Sequence, residues 1–78
     1  MPTVLQIGPY RFFFYAGDRL EPAHVHIERE NMVAKFWLDP VRLAVSGGFT
    51  RVELNKLQKL VEEYQEQLRN RWNEYFNY

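Results

Sequence analysis

The chain has no cysteine. That excludes a disulfide framework, a thiolate nucleophile and a zinc–thiolate cluster, so stability has to come from packing or assembly. It also lacks an excess of charge: ten Lys plus Arg face ten Asp plus Glu, and each sign is shared equally between 1–50 and 51–78. No segment is a polyelectrolyte of the kind that binds duplex nucleic acid by neutralising phosphates. Long apolar runs are missing as well. The longest, Phe12 to Ala16, is far below the roughly 20 residues of a membrane span, and the N-terminus lacks the basic-then-apolar build of a signal peptide. The expectation is a cytoplasmic protein with no membrane contact. Glycine and proline, four of each, do not occur between Thr50 and the end.

What is present is apolar and aromatic: 46% hydrophobic and 17% aromatic residues in 78, enough for one small domain spanning 1–78. Thr3 to Ile7 and Tyr10 to Tyr15, separated by Gly8-Pro9, read as a hairpin. His24 to Glu28 and Val33 to Leu38 alternate with period two and read as partner strands. A turn centred on Glu30-Asn31, with Asn31 tolerating positive φ, pairs His26 with Lys35, Val25 with Phe36, Ile27 with Ala34 and His24 with Trp37. Asp39-Pro40 breaks the run, and Val41 to Val45 forms a short fifth strand before Ser46-Gly47-Gly48. Beyond Phe49 the period becomes helical. Thr50-Arg-Val-Glu53 fits a capping box, and Leu54, Leu57, Val61, Tyr64, Leu68, Trp72 and Tyr75 follow spacings of three and four. The expected fold is α+β: an antiparallel meander of four or five strands within 1–45, then one long helix over 50–77 that overhangs its sheet.

Three features bear on function. His24 and His26 lie two apart on a strand, which places both imidazoles on one face. They suit an acid/base pair for metal-free phosphodiester cleavage, with Lys35 opposite stabilising an oxyanion. They also suit a metal site completed by Glu28, Asp18 or Asp39, although no third ligand is fixed by spacing. The plainest reading makes them half-exposed strand residues, and no metal or cofactor is expected. Second, the sheet carries rings on both faces, and the side with Arg11, Phe13, Tyr15, His24, His26, Lys35 and Trp37 mixes rings with cations. Arg11 and Trp37 are the candidate RNA contacts there. Third, four aromatics fall within 72–78, and leaving Trp72 and Phe76 in water forfeits roughly 1.5 to 3 kcal/mol each. They pack either on the sheet or on a second chain, so Leu68, Trp72, Tyr75 and Phe76 are the candidate partner-binding residues, with a homodimer as one outcome.

Gly47-Gly48 resembles a phosphate cradle only weakly, since the strand-to-helix turn and the Thr50 cap account for it. No triad or paired-acid arrangement supports acyl transfer or glycoside chemistry.

Pro22-Ala-His-Val-His-Ile27, Ala34-Lys-Phe-Trp-Leu-Asp-Pro-Val41, Gly48-Phe49, Glu53-Leu54 and Trp72-Asn-Glu-Tyr-Phe76, in this order and spacing, resemble the small bacterial family named domain of unknown function 4160. His24 and His26 match the family's paired histidines, and Trp72 and Phe76 its terminal aromatics. The usual Pro-Pro-His start is Pro22-Ala23-His24 here, which removes one rigid position before the strand. The resemblance implies one half of a two-gene cassette, of the kind regarded as candidate toxin–antitoxin modules, with a partner encoded beside it. The expected function is therefore partner binding in a two-protein regulatory or toxin–antitoxin-type module. The alternative is a toxin-like ribonuclease using His24 and His26. The third histidine of the His-x-His-x-His nucleotide hydrolases is replaced by Glu28, and that activity is not expected.

Overall fold

The computed structural model describes residues 3–76. The strands are β1 (Thr3–Ile7), β2 (Tyr10–Phe13), β3 (His24–Arg29), β4 (Met32–Leu38) and β5 (Val41–Val45); the helices are α1 (Arg51–Glu63) and α2 (Gln65–Phe76). A short 3-10 turn, Ala16–Leu20, separates β2 from β3. The five strands form one antiparallel sheet in sequence order, β1 to β5. This is the α+β meander expected from the alternating pattern.

The β3–β4 register matches the expected one: His24 faces Trp37, Val25 Phe36, His26 Lys35 and Ile27 Ala34. Alternation leaves a single register that puts Val25, Ile27, Ala34, Phe36 and Leu38 on one face, and all five are fully buried there. The hairpin turn differs in one detail: Glu30 takes the left-handed conformation (φ 57°) and not Asn31.

The helical segment also departs from expectation. It is two helices rather than one long rod, with a break at Tyr64 (φ −103°, ψ 16°). No Gly or Pro causes this. The Tyr64 N–H still donates to the Leu60 carbonyl and the Leu68 N–H to the Tyr64 carbonyl, so the hydrogen-bonded ladder continues through a bend. The cause is tertiary. A straight helix of this length would run about 39 Å at 1.5 Å per residue, well beyond the roughly 23 Å of the seven-residue strand β4 beneath it. Bending brings Leu68, Trp72 and Phe76 back onto the sheet beside Leu57 and Val61. The Gln65 side-chain amide, donating to the Leu38 carbonyl at 2.6 Å, pins the bend to the end of β4. The expected end of the helix at Asn77 lies outside the described residues.

At the start of α1 the Thr50 hydroxyl accepts from the Glu53 N–H at 3.2 Å, half of the expected capping box. The Glu53 carboxylate turns to the sheet instead. It pairs with Arg29 at 2.8 Å and accepts from the Tyr10 hydroxyl at 3.1 Å. Burial, and then this hydrogen bond to a carboxylate, hold the Tyr10 hydroxyl above its ordinary pKa.

Gly47 shows why the strand-to-helix turn needs glycine. Its φ is +63°, and an added Cβ would lie 1.9 Å from the Val33 carbonyl oxygen. Gly47→Ala is therefore expected to cost at least about 2 kcal/mol in urea unfolding, through strain and overlap with β4. Gly17→Ala, where a Cβ meets nothing within 4 Å, is expected to stay within about 1 kcal/mol of the parent chain.

Candidate functional site

The face of the sheet opposite the helices carries the rows anticipated from the alternation, and the segment between β2 and β3 covers it. Phe13 is only 1% exposed. Its ring stacks with His26 at 5.4 Å, meets Tyr15 edge-on at 5.1 Å and lies under the Arg11 guanidinium at 4.1 Å. Arg11 is held by Glu28 at 2.8 Å. The Lys35 ammonium sits 4.6 Å over Trp37 and binds Glu21 at 2.6 Å. That hydrogen bond holds the Glu21 carboxyl below its usual range. The candidate RNA contacts Arg11 and Trp37, and the candidate oxyanion holder Lys35, are thus all engaged within the chain.

Beneath this cover lies the most chemically distinctive cluster of the described residues. The 3-10 turn carries Asp18 back over β3, where Oδ2 accepts the Tyr15 N–H at 2.8 Å and is anchored by the backbone. Both imidazoles reach the same carboxylate: His24 Nε2 lies 3.1 Å from Asp18 Oδ1, and His26 Nε2 lies 3.1 Å from Asp18 Oδ2. His24 is fully buried, not half-exposed as expected. It pairs across the strands with Trp37 (ring centroids 5.5 Å) and packs on Trp72 of α2 (5.2 Å). His26 and Asp18 each keep 12% side-chain exposure. Burial lowers the His26 pKa, against the opposing pull of the Asp18 carboxylate, and favours the neutral ring near neutral pH.

The hydrogen bonds define the tautomers. His24 Nδ1 lies 2.9 Å from the Pro22 carbonyl, which only accepts, so Nδ1 carries the proton. His26 Nε2 likewise donates to Asp18. His24 Nε2 is left without a hydrogen bond: the nearby carboxylate oxygen is close, but out of line with the ring.

Of the three carboxylates weighed as a third ligand, Asp18 alone faces both rings. Glu28 binds Arg11, and Asp39 lies 3.7 Å from Arg69. Glu21, 3.7 Å from His24 Nδ1, was not anticipated; its signal in sequence is the Asp18-x-x-Glu21-Pro22 turn that precedes the strand. Asp18, His24 and His26 each offer one donor atom, all within 4.8 Å of one another. This is the group able to hold a metal ion. As an acid/base pair the same rings are poorly placed, because both Nε2 atoms converge on one carboxylate and one ring is sealed from solvent.

The candidate partner-binding residues are placed mostly inside. Leu68, Trp72 and Phe76 are 0, 3 and 6% exposed. Phe14 receives the Trp72 ring edge-on at 5.2 Å, and Trp72 and Phe76 meet at 4.4 Å. Their apolar area is satisfied by the chain's own sheet, and only Tyr75, at 39%, presents a ring outward. Trp72→Ala is accordingly expected to lower the stability of the isolated chain by about 3 to 5 kcal/mol in chemical denaturation. Tyr75→Ala is expected to cost about 1 kcal/mol.

Comparison with known proteins agrees with the resemblance in the motifs. No curated protein and no solved structure matches the chain. The family described as "Domain of unknown function (DUF4160)" matches residues 10–73, from the start of β2 almost to the end of α2, including Asp18, His24 and His26. The chain belongs to this family.

Proposed function

We propose that this chain acts by binding a partner protein, as one component of a two-protein regulatory module of the toxin–antitoxin type, and that the contact is made along the outer edge of β5. The observation that carries this reading is the character of that edge. β5 pairs with β4 on one side only, so its other side offers unpaired amides and carbonyls to an incoming strand. Soluble proteins blunt such edges with charge or proline. Arg42 and the register shift between Lys35 and Phe36 blunt this edge only in part, and Leu43 and Val45 remain 39 and 51% exposed. The opposite edge, β1, exposes Thr3 and Gln6 instead. An extended segment of the partner adding a sixth strand would pair the backbone and cover Leu43 and Val45 together.

The alternative, a ribonuclease using His24 and His26, has less support. An acid/base pair must reach opposite sides of a scissile phosphate, whereas one of these rings is buried and both point to Asp18. Lys35, assigned to hold the phosphate, is neutralised by Glu21.

Purified protein is expected to form a complex with the product of the neighbouring gene in size-exclusion chromatography with light scattering. Val45→Lys is expected to weaken that complex at least about tenfold while leaving the unfolding midpoint near the parent value. A chain that stays monomeric and ignores that product, or a Val45→Lys variant that binds equally well, would overturn the reading. Degradation of RNA by partner-free protein, lost in a folded His26→Gln variant, would favour the ribonuclease.

A further inference from the structure

Asp18, His24 and His26 are not used by the β5 contact, and their arrangement suits a bound cation. With Nδ1 committed to the Pro22 carbonyl, Nε2 of a neutral His24 is a bare lone pair. It is fully buried and lies 3.1 Å from an oxygen of an ionised carboxylate. Two acceptors in that position repel, and a second proton on the ring would not point at the oxygen, since no hydrogen bond forms. A cation beside both atoms removes the conflict.

Three further features match a metal ion in particular. The spacing is close to that of ligands: donors about 2.0 to 2.2 Å from one ion and roughly 90 to 110° apart lie about 3 to 3.5 Å from each other, and the three donor atoms lie within 4.8 Å of one another, so a small inward movement closes them on one ion. Both His–Asp distances are 3.1 Å. The His24 ring is oriented from behind by Nδ1–H donating to a backbone carbonyl, the contact that metal-bound imidazoles commonly make. Asp18 is held in turn by the Tyr15 N–H, while Trp37, Trp72, Phe13 and Tyr15 wall the two rings.

We propose that Asp18, His24 and His26 form a binding site for a divalent first-row transition ion such as zinc or cobalt(II). Two imidazole nitrogens and one carboxylate oxygen suit ions of borderline softness rather than calcium or magnesium, which take oxygen ligands. Three protein ligands leave further coordination positions, and these face the side where Asp18 and His26 retain their exposure. Binding moves the His26 proton from Nε2 to Nδ1, so that the ring stays neutral and ligates through Nε2, while His24 Nδ1 keeps its own proton. The site is independent of the β5 contact, so failure of either proposal leaves the other standing.

The test uses untagged protein stripped with a chelator. The chain has only two histidines, so every imidazole signal comes from this site. Titration with zinc chloride is expected to saturate at one ion per chain and to move the Nε2 nitrogen resonances of both rings, with the His24 Nδ1 proton retained. Cobalt(II) is expected to give visible absorption bands of a low-symmetry nitrogen–oxygen site. Asp18→Asn and His26→Gln are each expected to weaken zinc binding more than about 100-fold, since loss of an outer partner alone commonly costs 10- to 100-fold. Glu66→Gln, exposed on α2 and away from the cluster, is expected to bind like the parent. No saturable binding, unmoved Nε2 resonances, or undiminished affinity in folded Asp18→Asn would overturn the proposal. Should a variant fail to fold, the Nε2 resonances of the parent chain decide alone.

Discussion

A five-stranded sheet with rings on both faces must be covered twice, and a chain of this length has only one helical segment for the task. Phe12, Phe14 and Phe36 lie on the helix side, while Phe13 and the imidazoles project to the other. At roughly 25 cal/mol per Å² of apolar surface, neither set can be left wet by so small a domain. The helical segment bends at Tyr64 to stay on the first face. The second is closed by a single 3-10 turn and by the salt-bridged side chains of Arg11 and Lys35. The position of Asp18, and with it the chemistry of the imidazoles, follows from how that second cover is made.

Closing a face with so short a segment brings polar backbone and a carboxylate over the rings, in contrast to an amphipathic helix, which would present an apolar stripe. The Tyr15 N–H and the His26 ring both satisfy Asp18 Oδ2. Within this cluster His24 Nε2 is the buried atom for which no hydrogen bond remains. Buried nitrogen without a partner is uncommon because its desolvation goes uncompensated. That particular atom, more than the presence of two histidines in sequence, is what favours an ion beside Asp18.

Local pattern accounts for what the sequence made legible. The β3–β4 register could be read because one slip would move Val25, Ile27, Phe36 and Leu38 together to the wrong face. The start of α1 was readable from Thr50, whose cap forms, although the Glu53 side chain answers to Arg29 and not to the helix end. The bend at Tyr64 carries no glycine or proline signal, because it is imposed by the size of the sheet underneath. Asp18 was one of three equivalent carboxylates in sequence; choosing among them required knowing that the turn folds back over β3. The terminal aromatics were legible as needing burial. That their own sheet provides it depends on the bend, which no periodicity announces.

The bend and the imidazole cluster are also physically continuous. Trp72 is the shared element: one side of its ring meets Phe14 in the main core, and His24 lies against it at 5.2 Å. Held there, Trp72 helps to exclude water from His24, and the orientation of His24 depends on a residue whose own position depends on α2 turning back at Tyr64. Side chains at native packing density have few alternative rotamers. The His24 ring is therefore held on two sides, by the Pro22 carbonyl at Nδ1 and by the α2 indole at its flank. Such preorganisation matters for ion binding, because a ring already held loses little freedom when it binds. A sheet covered by loose loops would offer the same three residue types without that advantage.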